Sequence, residues 1–319
     1  MQHNLEGITY QEVVNDKGVT YAEFRARLAP AFGKAWFDIA KGYFFLLLTC
    51  TSLILLDHYY HSLWWIWVIP FALLTGYIAA YLALFIHEAS HFNLHPDKKT
   101  NDKLATVFLC LPFGLSIKSY RKIHWQHHLH LGTPQDTEIS YFNPLTKLFV
   151  LETLTGIHLL RTFFQKEKNT LLSAEQVRQG RLMLVAGVLL HIALLTGMLL
   201  SGQWVLAIVW VAGFGIFFPF FATIRQLLEH RDELAHHLTD FRRQPHGKVT
   251  RLFVHTILSS SFGAAGFTRH LIHHWDPQAS YTRLGEIEQF LLHCDKTAVV
   301  VQNSTTTYFA TIKKLLSAP

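Results

Sequence analysis

Apolar residues in this 319-residue chain are gathered into four long uncharged stretches. Residues 42–56 (GYFFLLLTCTSLILL) and 63–86 (LWWIWVIPFALLTGYIAAYLALFI) are divided by the polar turn DHYYHS. Residues 182–200 (LMLVAGVLLHIALLTGMLL) and 203–222 (QWVLAIVWVAGFGIFFPFFA) are divided only by Ser201 and Gly202. About 20 helical residues cross the hydrocarbon core of a bilayer. The first stretch falls short of that and the other three meet it. The pattern predicts an all-α integral membrane protein with four transmembrane helices in two hairpins. Three further stretches, 104–117, 145–164 and 251–267, are too short or too interrupted to cross and suit helices lying in the interface. Helical spacing of Leu284, Ile287, Phe290 and Leu291 predicts a small cap near the end. The expected organisation is an N-terminal segment over 1–41, a four-span catalytic domain over 42–290 and a C-terminal tail over 291–319.

Charge gives the spans a direction. Lys and Arg number five before residue 42, twelve between 87 and 181 and eleven after 222, which accounts for all 28. Neither hairpin turn carries one. The positive-inside tendency then puts the N-terminus, the central segment and the C-terminal third on the cytoplasmic side. Buried helices of a water-soluble enzyme would not be expected to sort basic residues so completely. Only 16% of residues are charged and 50% are hydrophobic, against about a quarter charged in soluble domains. The first forty residues are polar and lack the apolar core of a signal peptide. The net charge of +6 reads as a topology and anionic-lipid signal, and no nucleic-acid motif accompanies it. Cys50, Cys110 and Cys294 are scattered and suggest neither a disulfide framework nor a thiolate metal site.

Histidine is in surplus. The chain has 21, where ordinary usage of roughly 2% predicts about seven. Three clusters stand out: His87-Glu-Ala-Ser-His91, His124-Trp-Gln-His127-His128 and His270-Leu-Ile-His273-His274. Spacings of three and four set imidazoles on one side of a helix. The first cluster follows the second apolar stretch, and all three fall on the predicted cytoplasmic side. Eight neutral imidazoles suit two first-row metals. HEASH also fits the HExxH zinc-peptidase pattern, with His87 and His91 on zinc and Glu88 as general base. That alternative leaves both later clusters without a role. A non-catalytic metal-binding membrane protein is a further alternative.

The three clusters resemble the signature of the membrane fatty acid desaturase superfamily, HxxxH, HxxHH and HxxHH around four spans. The resemblance covers about residues 60 to 290 and takes in HEASHFNLHPDKKTND, YRKIHWQHHLHLGTPQDTE and HHWDPQASYTRL. RQLLEH, after the fourth apolar stretch, resembles the position where members supply a further ligand, which adds His230. The resemblance implies a non-heme diiron centre held by His87, His91, His124, His127, His128, His230, His270, His273 and His274. It also implies O2 as co-substrate and oxidation of an aliphatic chain. Desaturation of a fatty acyl lipid is the first expectation, with hydroxylation or ketolation of a lipid, carotenoid or small amphiphile as the alternative. Glu88, Asp136 and Glu138 are candidates to orient ligand imidazoles. No His-Pro-Gly-Gly heme motif occurs in the sequence, so a separate electron donor, a ferredoxin or flavoprotein-linked carrier, is expected.

The remaining histidines read differently. His95 lies one turn beyond His91 and His130 faces away from the second cluster, so neither is expected to be a ligand. His58, His61, His158, His236, His237, His246, His255 and His293 lack cluster spacing and read as interfacial or surface residues. His191, in mid-span, suits a neutral hydrogen-bonded packing role. Trp125 and Trp275 are expected to wall a pocket beside the clusters.

Overall fold

The computed structural model describes residue 5, residues 7–158, residue 161 and residues 171–317. Among the described residues, four helices are long and apolar enough to cross a membrane. They are α2 (Phe32–Tyr59), α3 (Trp64–Ser90, preceded by a 3-10 turn at His61–Leu63), α7 (Ala174–Leu200) and the continuous run Trp204–His230. That last run comprises α8 (Trp204–Ala212), a π-turn at Gly213–Phe217 and α9 (Phe218–His230). Each run of 27 to 30 residues extends about 40 Å, more than the roughly 30 Å hydrocarbon core. The first helix begins ten residues before the uncharged stretch that marks it in sequence. Its added turns carry Asp38 and Lys41, which neutralise one another as an i,i+3 ion pair of 3.1 Å. The third begins at Ala174 because Ser173 and Gln176 form a reciprocal capping box ahead of the apolar run.

Two compact units are distinguished. One comprises residues 36–124 and 146–224 and holds most of the spanning helices. Its helices approach closely where glycine removes a side chain. A Cβ on Gly76 of α3 would lie 2.4 Å from the Phe217 Cβ and 2.8 Å from the Gly213 carbonyl oxygen. Within the same unit His191 is packed as expected, with Nε2 2.9 Å from the Pro112 carbonyl and Nδ1 accepting from the Trp210 indole at 3.0 Å. α4 (Lys98–Ala105), α5 (Ile117–His130) and α6 (Lys147–Leu154) lie between the hairpins in sequence. The predicted interfacial stretch 145–164 lies partly outside the described residues.

The other unit comprises the chain up to residue 35, residues 125–145 and the chain from residue 225. It contains α1 (Tyr21–Ala26), α10 (Ile257–Phe262), α11 (His270–Trp275), α12 (Leu284–Leu292), α13 (Asp295–Asn303) and α14 (Tyr308–Ser317). Tyr21, Leu271, Ile272, Ile287, Leu291 and Val301 share its core. The stretch 251–267 is not one helix. It forms β1 (Leu252–Phe253), then α10, then a 3-10 turn at Phe267–Arg269. The strand is parallel to β2 (Thr305–Thr306), a partner about fifty residues away that local apolar patterning does not reveal.

Candidate metal centre

In the unit of residues 36–124 and 146–224, the first cluster sits where α3 stops. His87 occupies the last turn and His91 is the C-cap. The Asn93 N–H donates to the Glu88 carbonyl and the Phe92 N–H to the Ala89 carbonyl, both at 3.1 Å. This is a Schellman ending with Phe92, at φ 62°, in the left-handed position usually given to glycine. A non-glycine residue there costs about 1–2 kcal/mol. The Arg121 guanidinium lies 3.8 Å from the Phe92 ring centroid and offsets part of that cost. Arg121 also donates to the Ser90 carbonyl at 2.8 Å and the Ala89 carbonyl at 3.1 Å, which ties α5 to the end of α3. His124 of α5 then meets the first cluster, with Nε2 3.0 Å from His91 Nε2 and its ring 4.5 Å from the His87 ring. Glu88 is fully buried, 3.6 Å from His87 Nδ1, and accepts from Asn93 Nδ2 at 3.1 Å. Burial, and secondarily Arg121, push His91 down to about 3, so this imidazole is neutral at physiological pH.

In the other unit His127, His230, His270 and His274 bring one ring nitrogen each within 4.8 Å of all the others. His270 Nε2 lies 2.9 Å from His230 Nε2 and 3.1 Å from His274 Nε2. The opposite nitrogens are already committed in two cases. His127 Nδ1 donates to Asp136 Oδ1 at 2.8 Å, and His230 Nδ1 donates to the Val249 carbonyl at 3.0 Å. Each bond fixes the tautomer and leaves Nε2 as an acceptor. His128 and His273 form a further pair, Nε2 to Nε2 3.1 Å. His274 is held well below its ordinary value by burial first and by its histidine neighbours second.

Asp136 is braced on every side. Its Oδ2 accepts from the Gly132 N–H at 3.1 Å and from the Tyr141 hydroxyl, and its Oδ1 accepts from the Glu138 N–H at 2.8 Å. Burial alone would raise this carboxyl. His127, Tyr141 and the Glu138 N–H outweigh burial and hold it below the usual carboxylate range. The end of α9 is clamped by arginines. Arg251 donates to the Leu228 carbonyl at 2.9 Å and the Arg231 carbonyl at 2.6 Å, while fully buried Arg231 donates to the carbonyls of Tyr141 and Asn143. These contacts fix the backbone that carries His230.

Several sequence expectations are refined here. The second cluster does not offer its donors to one side. His127 and His128 are neighbours about 100° apart on the helix, so His127 joins the four-histidine set and His128 pairs with His273, while His124 belongs with His87 and His91. Of the proposed orienting acids, Asp136 contacts His127 directly and Glu88 lies beside His87. Glu138 accepts from the Gln226 amide at 3.2 Å. Glu229 was not singled out, yet one of its oxygens lies 4.0 Å from His270 Nε2, and Arg225 grips both oxygens at 2.7 and 2.8 Å. Its i,i+4 spacing from Arg225 on a helix leading to His230 is the signal that could have found it. Arg251 had no such signal, because it acts on distant backbone carbonyls, whereas Arg121 lies in the Tyr-Arg step just before the second cluster. His246 and His158, expected at the surface, are buried. His246 Nε2 accepts from the Asp232 N–H at 3.1 Å. His95 lies apart from the clusters and accepts the Asp97 N–H.

His128 and His274 also line a cavity of about 430 Å³ walled by Leu131, Leu271, Trp275 and the N-terminal residues Ile8 and Tyr10. Trp275 is thus a wall, as expected. It is held by donating its indole N–H to the Ile8 carbonyl at 2.9 Å, while the Tyr10 hydroxyl donates to the Trp275 carbonyl at 3.0 Å. Trp125 has its ring 5.7 Å from the His128 ring.

Comparison with curated proteins finds no match. The profile of the fatty acid desaturase family matches residues 62–305, an interval that contains both histidine groupings and runs through three of the four spanning helices. A match over that much of the chain is decisive for membership, and an oxidoreductase chemistry follows from it: this chain belongs to the fatty acid desaturase family, which is known for diiron centres.

Proposed function

We propose that the protein is a membrane-bound, O2-dependent desaturase that introduces a double bond into a fatty acyl chain at two irons held by nine histidines. The four-histidine set His127, His230, His270 and His274 is the nucleus of one iron site. His87, His91 and His124 are the nucleus of the other, and His128 and His273 are further donors. The observation that carries this reading is the convergence of Nε2 atoms at 2.9–3.1 Å among buried imidazoles. Where Nδ1–H is already given away, as in His230, the inward nitrogen presents a lone pair. Lone pairs converging at that distance are stabilised by a shared cation, and imidazole suits iron. The donor set therefore fits the group that the family implies.

Two irons supply reductive activation of O2 and removal of hydrogen from an unactivated C–H bond. The chain's own residues supply position and environment. Asp136 and the Val249 carbonyl orient His127 and His230, and burial keeps His91 and His274 neutral and therefore able to bind metal. Arg225 holds Glu229 beside His270 through hydrogen bonds to both carboxyl oxygens. Glu88 is placed to orient His87 and is engaged by Asn93, a different task from the general base of a zinc peptidase. The distribution of Lys and Arg orients both termini and the histidine clusters toward the cytoplasm. Electrons come from a separate ferredoxin or flavoprotein-linked carrier, for which the basic cytoplasmic segments offer complementary charge.

Expression in a host of simple lipid composition, with mass spectrometry of its acyl chains, tests the reaction. Loss of two hydrogens with a mapped double bond is expected. Gain of one oxygen would replace this reading with a hydroxylase or ketolase of the same family.

A further inference from the structure

The last helix, α14, has two apolar stripes and the protein covers one. Tyr308, Thr311 and Leu315 are buried in the core. Phe309, Ile312 and Leu316 repeat the same spacing one residue later, about 100° round the helix, and are exposed, Phe309 by 79% and Leu316 by 76%. A helix at the surface of a water-soluble domain turns its apolar stripe inward and its polar face out. This one turns out apolar side chains next to Lys313 and Lys314. Residues 304–317 contain no acidic side chain.

The neighbouring helix does the same. The parallel pair β1 and β2 leads into α10 and α14, and the Val254 N–H donates to the Thr306 carbonyl at 2.9 Å. The Tyr308 ring lies 4.0 Å from the Phe253 ring and 5.2 Å from the Phe262 ring, so the start of α14 packs against the strand that leads into α10 and against the last residue of α10. At the start of α10, Ile257 is 93% exposed and Leu258 is exposed as well. That degree of exposure matches Leu200 of a spanning helix, at 85%. Apolar patches of this kind mark interaction sites. Lys314 is paired with Glu233, whereas Lys313 beside the exposed apolar stripe, in a chain whose spanning helices already hold it at a bilayer, matches an anionic lipid surface in charge as the stripe does in polarity.

We infer that α14 and the start of α10 form an interfacial anchor. Phe309, Ile312, Leu316 and Ile257 enter the boundary between head groups and acyl chains, and Lys313 meets anionic head groups. This anchor does not depend on the reaction catalysed.

The test uses the full-length protein in nanodiscs of phosphatidylcholine and phosphatidylglycerol. Nitroxide labels are placed by Phe309→Cys, Ile312→Cys, Lys313→Cys and Leu316→Cys in a Cys50→Ser background, since Cys110 and Cys294 are buried. The expected result is a severalfold higher ratio of oxygen to nickel-chelate accessibility at 309, 312 and 316 than at 313. Removing phosphatidylglycerol should lower that contrast. High nickel accessibility at all four positions would overturn the inference. So would labels closed to both reagents with spin–spin broadening, which would show a second copy of the chain covering the face.

Discussion

The Asp136 carboxylate takes the Nδ1–H of His127 with one oxygen and the Gly132 N–H and Tyr141 hydroxyl with the other. Loss of an outer partner of this kind costs about 10–100-fold in metal affinity. Asp136→Asn keeps the shape and removes the charge, so chelator competition should show iron affinity lowered by about tenfold or more, with far-ultraviolet circular dichroism unchanged. Unchanged affinity would mean that Asp136 only braces its loop. His91 carries a pH prediction. Its folded-state value near 3 lies below the ordinary 6.5, so the unfolded chain binds a proton here that the fold refuses. The resulting stability is complete above about pH 6.5 and is lost as pH falls toward 3. Each pH unit in that window is worth up to about 1.4 kcal/mol. Asp136, held below its ordinary range, adds a loss of the same sign at pH values below about 4. The metal-free protein should therefore melt progressively lower from pH 7 to 5, and a flat profile would contradict the buried, neutral assignment of His91. At this scale the box histidines were legible, because three- and four-residue spacing is a local signal. Arg251 and the Val249 carbonyl were not, since each acts on a group remote in sequence.

Among elements, the contact of α3 with the π-turn of the fourth span depends on the absence of a side chain at Gly76. Gly76→Ala places a methyl group 2.4 Å from the Phe217 Cβ and 2.7 Å from the Phe218 backbone nitrogen, and backbone cannot swing aside. Overpacking of this kind costs about 1–3 kcal/mol. Thermal unfolding in detergent should show a clear loss for Gly76→Ala. Gly197→Ala, where nothing lies within 4 Å, should show none. Equal effects would mean that the close approach is not what the glycine serves. The spans were legible from uncharged length alone, but their starts were not. Asp38 and Lys41 look like the end of an apolar run until their ion pair is seen, and the Ser173–Gln176 box starts α7 eight residues before the apolar stretch. The β1–β2 pair was missed for the opposite reason: two residues of strand leave no period to read.

For the molecule as a whole, all 28 Lys and Arg fall outside the hairpin turns, and of the segments expected to face the cytoplasm the central one (twelve Lys/Arg against eight Asp/Glu) and the C-terminal one (eleven against eight) are basic, while the N-terminal one is balanced at five against five. An acidic electron carrier would be steered to such a face, and steering is screened over about 10 Å at 0.1 M salt. Donor-supported turnover should fall as salt rises from about 0.05 to 0.3 M, with the change in KM for the carrier rather than in kcat. Salt-independent KM would count against charge-guided docking. That nine histidines, seven of them buried, hold two irons can be tested more directly. Metal content by plasma emission spectroscopy of protein purified in lipid nanodiscs addresses it. About two Fe per chain are expected, and fewer in His230→Ala. One Zn per chain, retained in the His270→Ala, His273→Ala double variant, would contradict it.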